Sequence, residues 1–189
     1  WGFIWMFTGE KPTFNLPEMP KNMFILTPPS QTLTCHPHLV IGNGLDVAHF
    51  DDVHGLTFIS KPILEKNSIE LKVSFKAKIT RKSLSLFKKD PIHASFTAIG
   101  GNMAIANITA PVRFQILFTG TDTGRSCQTQ TFFFLPKSLK MFKAFSIMYY
   151  LLHDDVKILN KLDFKPNFTD KDIILKEYYD LVKKLPEFK

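Results

Sequence analysis

Twelve residues carry the densest chemistry in this chain: Asn43-Gly-Leu-Asp46-Val-Ala-His49-Phe-Asp-Asp-Val-His54. They set an amide, a carboxylate and two imidazoles at fixed offsets, in a sequence with only six histidines. Two neutral imidazoles joined by one carboxylate from elsewhere form a three-sided iron site that leaves positions open for O₂, a site suited to oxidising an organic molecule. Asp46 and His49 are three apart and share a face of any helix that contains them. His49 and His54 are five apart, which turns them about 140° from each other on a regular helix. Both reach one ion only where the helix tightens, bulges or ends between them, and Gly55 offers such a stop. A histidine pair on a half-buried helix is more often structural, so the spacing alone leaves the metal open.

The third ligand must be brought in by the fold. The best source is His153-Asp154-Asp155, whose acids sit among Leu151, Leu152, Val156 and Ile158. Acids inside a core-facing helix are costly unless paired or bound to a cation. Adjacent residues point about 100° apart, so only one of the two can face inward. In the alternative, both lie at a helix edge in water. Other candidates are weaker. Cys35-His36-Pro37-His38 would put two imidazoles on one side of a strand, but no acid matches them, and structural or pocket-edge roles fit better. His93 reads as a surface residue in a turn. Gly100-Gly101 lacks the Lys-Ser/Thr and helix start of a phosphate loop, and no Ser or Cys sits in a nucleophile-elbow context.

The elements that must position these residues follow from periodicity. Residues 8–31 are rich in proline and polar residues and read as an extended connector. Residues 40–54 have a helical rhythm. Strand-like stretches follow at 69–79, more weakly around 83–87, then at 94–99, 103–108, 112–119 and 127–135. Lys89-Asp90-Pro91, Gly100-Gly101-Asn102 and Thr119-Gly-Thr-Asp-Thr-Gly124 supply turns between them. Consecutive strands with short turns predict an antiparallel meander. A long helix is expected from Ser138 to about Leu162, with Leu139, Phe142, Phe145, Met148, Leu151, Leu152, Val156 and Leu159 on one wide apolar face. Pro166 would stop it, and Thr169 would cap a second helix running to about Lys184. The pattern predicts one α+β domain in which a curved antiparallel sheet wraps the long helix.

Composition narrows the class. The 189 residues suffice for a real core, and nineteen Phe predict a Phe-rich core or an aromatic-lined apolar cavity. No stretch is long and apolar enough to span a membrane. Two cysteines without a C-x-x-C exclude a zinc ribbon or thiolate-held cluster built from this chain alone, and free thiols in a reducing, cytoplasmic compartment are expected. Between Lys61 and Lys89 nine basic residues face two acids, a surplus equal to the whole net charge of +7. Lysines alternating with aliphatics through Ile69-Glu-Leu-Lys-Val-Ser-Phe-Lys-Ala-Lys-Ile79 describe the wet face of a half-buried strand. That reading is preferred to an acidic protein partner or nucleic acid, and no nucleic-acid partner is expected. Trp1-Gly-Phe-Ile-Trp-Met-Phe reads as a buried strand without a leading Met or a secretory signal, so a missing N-terminal part is expected.

The pattern Asn-x-x-Asp-x-x-His-x₄-His, followed about a hundred residues later by an Asp in a C-terminal helix, resembles the catalytic domain of Rieske non-haem iron oxygenases. Trp1-Gly-Phe-Ile-Trp5 resembles the strand that joins their Rieske domain to that domain, and Phe134-Leu-Pro-Lys137 and Asp154-Asp-Val-Lys-Ile158 resemble family text. Asn43-Gly-Leu-Asp-Val-Ala-His-Phe and Val53-His-Gly55 are most similar to branches that oxidise steroids and other polycyclic compounds. The resemblance spans essentially the whole chain. It implies a helix-grip fold, with residues 1–31 as the end of the Rieske domain and connector, and 32–189 as the catalytic domain. It makes His49, His54 and Asp155 ligands of a mononuclear Fe(II), with Asp154 the less favoured neighbour. Asp46 becomes the carboxylate bridging a ligand histidine to a cluster histidine of the adjacent subunit, a means of fixing a tautomer and coupling two metal centres. Asn43 would line the iron site, and Asp51 and Asp52 would face solvent. The resemblance further implies a [2Fe–2S] cluster held before Trp1, electrons from NAD(P)H through a reductase or ferredoxin, an apolar small-molecule substrate with O₂, and a homotrimer for the full-length form. This chain alone would then be inactive. The rival reading is a non-enzymatic hydrophobe-binding module of the same fold.

Overall fold

A computed structural model describes residues 16–18, 20–80, 90–124, 126–163 and 167–185. Expectations for Trp1 to Phe7, for the strand at 83–87 and for Pro166 lie outside these residues. The centre of the fold is a five-strand antiparallel meander: β5 (Glu70–Ile79), β6 (Ile92–Ile99), β7 (Met103–Ala110), β8 (Phe114–Asp122) and β9 (Cys127–Pro136). Period-2 alternation forms it. Leu71, Val73, Phe75, Ala77 and Ile79 of β5 are buried, while Lys76 and Lys78 between them are exposed and Lys72 pairs with Glu65. Gly100 and Gly101, at φ 60° and 79°, make the tight β6–β7 turn that other residues enter only at a cost.

Four short strands the periodicity does not announce complete the edges. β1 (Met23–Leu26) and β2 (Gln31–Leu33) pair with β9, so part of the expected connector is sheet. β3 (Leu56–Phe58) and β4 (Ile63–Lys66) pair with β5 at the other side. Runs of three or four residues show too little alternation to be read alone. His93 lies inside β6 opposite Lys76, not in a turn, and β8 continues to Asp122, shortening the expected Thr119–Gly124 loop.

The long helix α3 (Lys140–Leu159) packs Ala144, Ile147 and Met148 against Phe50, Phe75, Phe114 and Phe133 of the main core. The result is an α+β, helix-grip-like fold with a large curved antiparallel sheet. α3 is not apolar on one face only, because Leu139, Phe142 and Phe145 point to solvent. The expected helix over 40–54 is two helices, α1 (Pro37–Asn43) and α2 (Val47–Asp52). Gly44 sits at the break, where an added Cβ would lie 2.1 Å from the Phe96 ring. His36 and His38 are correspondingly not on a strand: His36 caps α1, and its Nδ1 accepts the His38 N–H. α4 (Ile173–Val182) buries Tyr178 against Ile41, Leu45, Leu71 and Val73. Its cap position is Asp172, whose carboxylate accepts from Thr169, so Thr169 is not the cap. Cys35 and Cys127 are free, buried and packed in one cluster. Among the described residues, no helix is long and apolar enough to cross a membrane.

Candidate metal centre

Asp46 starts the site. It caps α2, its Oδ1 accepting the N–H groups of Ala48 and His49 at 3.1 and 3.4 Å. The His49 Nδ1–H donates to the Asp46 carbonyl at 2.5 Å, which leaves Nε2 with its lone pair free. α2 ends at Asp52, and Gly55 turns the chain at φ 58°. The helix thus ends between the two histidines, and His54 folds back so that its Nε2 lies 3.2 Å from the His49 Nε2.

Asp155 enters from α3. It lies seven residues after the buried Met148, on the stripe that faces the sheet, and its Oδ1 is 2.9 Å from His54 Nε2 and 3.7 Å from His49 Nε2. Asp154 turns away to His153, with 3.6 Å between carboxylate and Nδ1. One atom each of His49, His54 and Asp155 therefore lies within 4.8 Å of the other two. Ligands held about 2.1 Å from one ion sit roughly 3 Å apart, which these separations approach. His54 is 1% exposed and its Nδ1 has no partner; Asp155 is 13% exposed. Burial holds the His49 imidazole below its ordinary pKa, opposed by the charge of Asp155, so the neutral, metal-binding form is favoured. Two neutral imidazoles and one carboxylate form a donor set that fits a divalent first-row cation.

The cluster opens on a cavity of about 550 Å³ between sheet and α3. Phe50, Phe96, Ile116, Phe118, Phe133 and Met148 make it apolar, and His54, Asp155 and Asn43 reach its wall. Asn43, the last residue of α1, also lines a second cleft of about 220 Å³ together with Asp46, His38 and Tyr178. There His38 Nδ1 lies 3.2 Å from both the Gly101 carbonyl and the Tyr178 hydroxyl. Asp51 and Asp52 face solvent, Asp51 accepting from Thr57. Phe96 and Tyr178 are signalled in the sequence only by an inward register in β6 and by a place on the apolar side of α4, with Ile173, Ile174, Leu181 and Val182.

No protein-family model and no curated protein matches the sequence. Solved structures do. Dicamba monooxygenase bound to dicamba superposes with a TM-score of 0.65 at 10% identity, covering 89% of this chain and 61% of that one. The fold is Rieske-oxygenase-like. NdmB of Pseudomonas putida CBB5 gives 0.61 at 14% identity over 89% of this chain and 52% of that one. NdmA of the same organism, in its complex with caffeine, gives 0.61 at 11% identity, with 88% and 55% covered. Identities this low establish a shared fold only, and the chain spans between half and two-thirds of those proteins' length.

Proposed function

We propose that this chain is the catalytic domain of a Rieske-type oxygenase that hydroxylates an apolar aromatic or steroid-like compound. The observation that carries the reading is the convergence of His49, His54 and Asp155 in a cluster whose His54 and Asp155 reach the wall of an apolar cavity. Fe(II) held by those three residues would supply the redox chemistry through which O₂ oxidises an organic molecule. The chain's own residues set the conditions. Asp46 orients the ring of His49 and fixes its tautomer through the backbone hydrogen bond, and its carboxylate is partly open to the neighbouring cleft. In that position it is the residue we assign to electron passage from a [2Fe–2S] cluster carried elsewhere in a longer, trimeric, cytoplasmic protein and fed from NAD(P)H by a reductase or ferredoxin. Asn43 lines the approach to the metal. The Phe50, Phe96 and Phe133 rings exclude water and hold an apolar substrate against the cluster.

The test is product formation. The iron-loaded chain receives ¹⁸O₂, an apolar aromatic or steroid-like compound and a soluble chemical reductant that supplies electrons in place of the [2Fe–2S] cluster, and the product is read by mass spectrometry. Incorporation of label, lost in His54→Ala and Asp155→Ala, is expected. A compound bound equally well by all three proteins and never labelled would instead identify a hydrophobe-binding module.

A further inference from the structure

Helix α3 is apolar on two faces. Ala144, Ile147 and Met148 bury one of them against the sheet. On the other, Leu139, Phe142 and Tyr149 are 84%, 66% and 60% exposed, with Phe145 between them also open. Their spacing of three, three and four residues makes a single outward stripe. A contiguous apolar stripe of this kind marks an interaction surface. Its flanks are basic: Lys137 and Lys140 are exposed, and no Asp or Glu occurs between Pro136 and His153. Two residues of the stripe, Phe145 and Tyr149, also line the cavity beneath it.

We propose that the outer face of α3 docks the protein on an anionic lipid surface. Leu139, Phe142 and Tyr149 enter the boundary between headgroups and acyl chains, and Lys137 and Lys140 meet the lipid charge. Phe145 and Tyr149 then stand where an apolar molecule leaves the lipid for the cavity. Pairing of this face with the same face of a second copy lacks such complementarity, because the stripe itself carries no acid to meet the lysines.

Co-sedimentation tests it. The chain is mixed with phosphatidylcholine vesicles, with or without about one-third phosphatidylserine, at low and high salt. Binding to the anionic vesicles, weakened by salt and by Lys137→Glu with Lys140→Glu, is expected. Leu139→Ser with Phe142→Ser removes two large apolar contacts and lowers partitioning roughly tenfold or more. These side chains are exposed, so the thermal unfolding midpoint should not move; it is measured alongside. Wild-type protein that stays in the supernatant with both vesicles overturns the proposal, as does a serine variant that binds like wild type. Self-association abolished by the serine variant, without vesicle binding, would overturn it in favour of a copy-to-copy interface.

Discussion

His49 and His54 bring their Nε2 atoms to 3.2 Å and both face Asp155 Oδ1, so three electron-rich atoms crowd one spot unless a proton or cation lies between them. Buried at that spot, His49 titrates below its ordinary value of 6.5. A base whose folded pKa is depressed contributes full stability above its unfolded pKa and loses it as pH falls, because the unfolded chain takes the proton first. Metal-free protein is therefore expected to keep a constant denaturation midpoint above about pH 7 and to lose stability below pH 6.5. His49→Ala should flatten that loss, and identical pH profiles for the two proteins would contradict it. The choice between Asp154 and Asp155 illustrates what a sequence withholds at this scale. Both acids satisfy the motif, and only the phase of α3, fixed by Ala144, Ile147 and Met148 against the sheet, turns Asp155 inward.

The elements that hold the site are short and depend on single contacts. α2 has six residues, too few to persist on propensity alone, and its cap is Asp46. Asp46→Ala should cost about 1 kcal/mol, within a range of roughly 0.5–2, and weaken metal binding by loosening His49. Asp46→Asn keeps the cap acceptor and should restore most of the stability. Chemical denaturation separates them, and equal loss in both would show that the cap is not what matters. Gly44 is needed for space, since its φ of −70° suits any residue. A methyl there meets Phe96 at 2.1 Å, so Gly44→Ala should destabilise by about 1–3 kcal/mol, read as a lower unfolding midpoint. An unchanged midpoint would contradict the packing described. The helical rhythm of residues 40–54 was legible, but the break within it was not. It falls between the α1 end at Gly44 and the Asp46 cap that starts α2, which apolar periodicity alone does not register.

Across the whole molecule, the meander and the long helix were legible because β5 to β9 and α3 are long enough to express their periods. β1 to β4 were not, since edge strands of three or four residues owe their existence to the neighbours they pair with. The excess of Phe pointed to an aromatic-lined cavity, and the sheet and α3 enclose one of about 550 Å³. Filling it with Ile116→Trp should abolish binding of an apolar fluorescent probe while leaving metal affinity within about threefold, since Ile116 lines the cavity without belonging to the ligand cluster. Probe binding that survives would place the ligand elsewhere. Whether His49, His54 and Asp155, from two distant segments, form one metal centre is tested by anaerobic Fe(II) titration of the wild type, Asp154→Ala, His54→Ala and Asp155→Ala. One iron per chain is expected for the wild type and Asp154→Ala, with affinity at least about a hundredfold weaker in the other two. Equal, weak binding by all four proteins would contradict it.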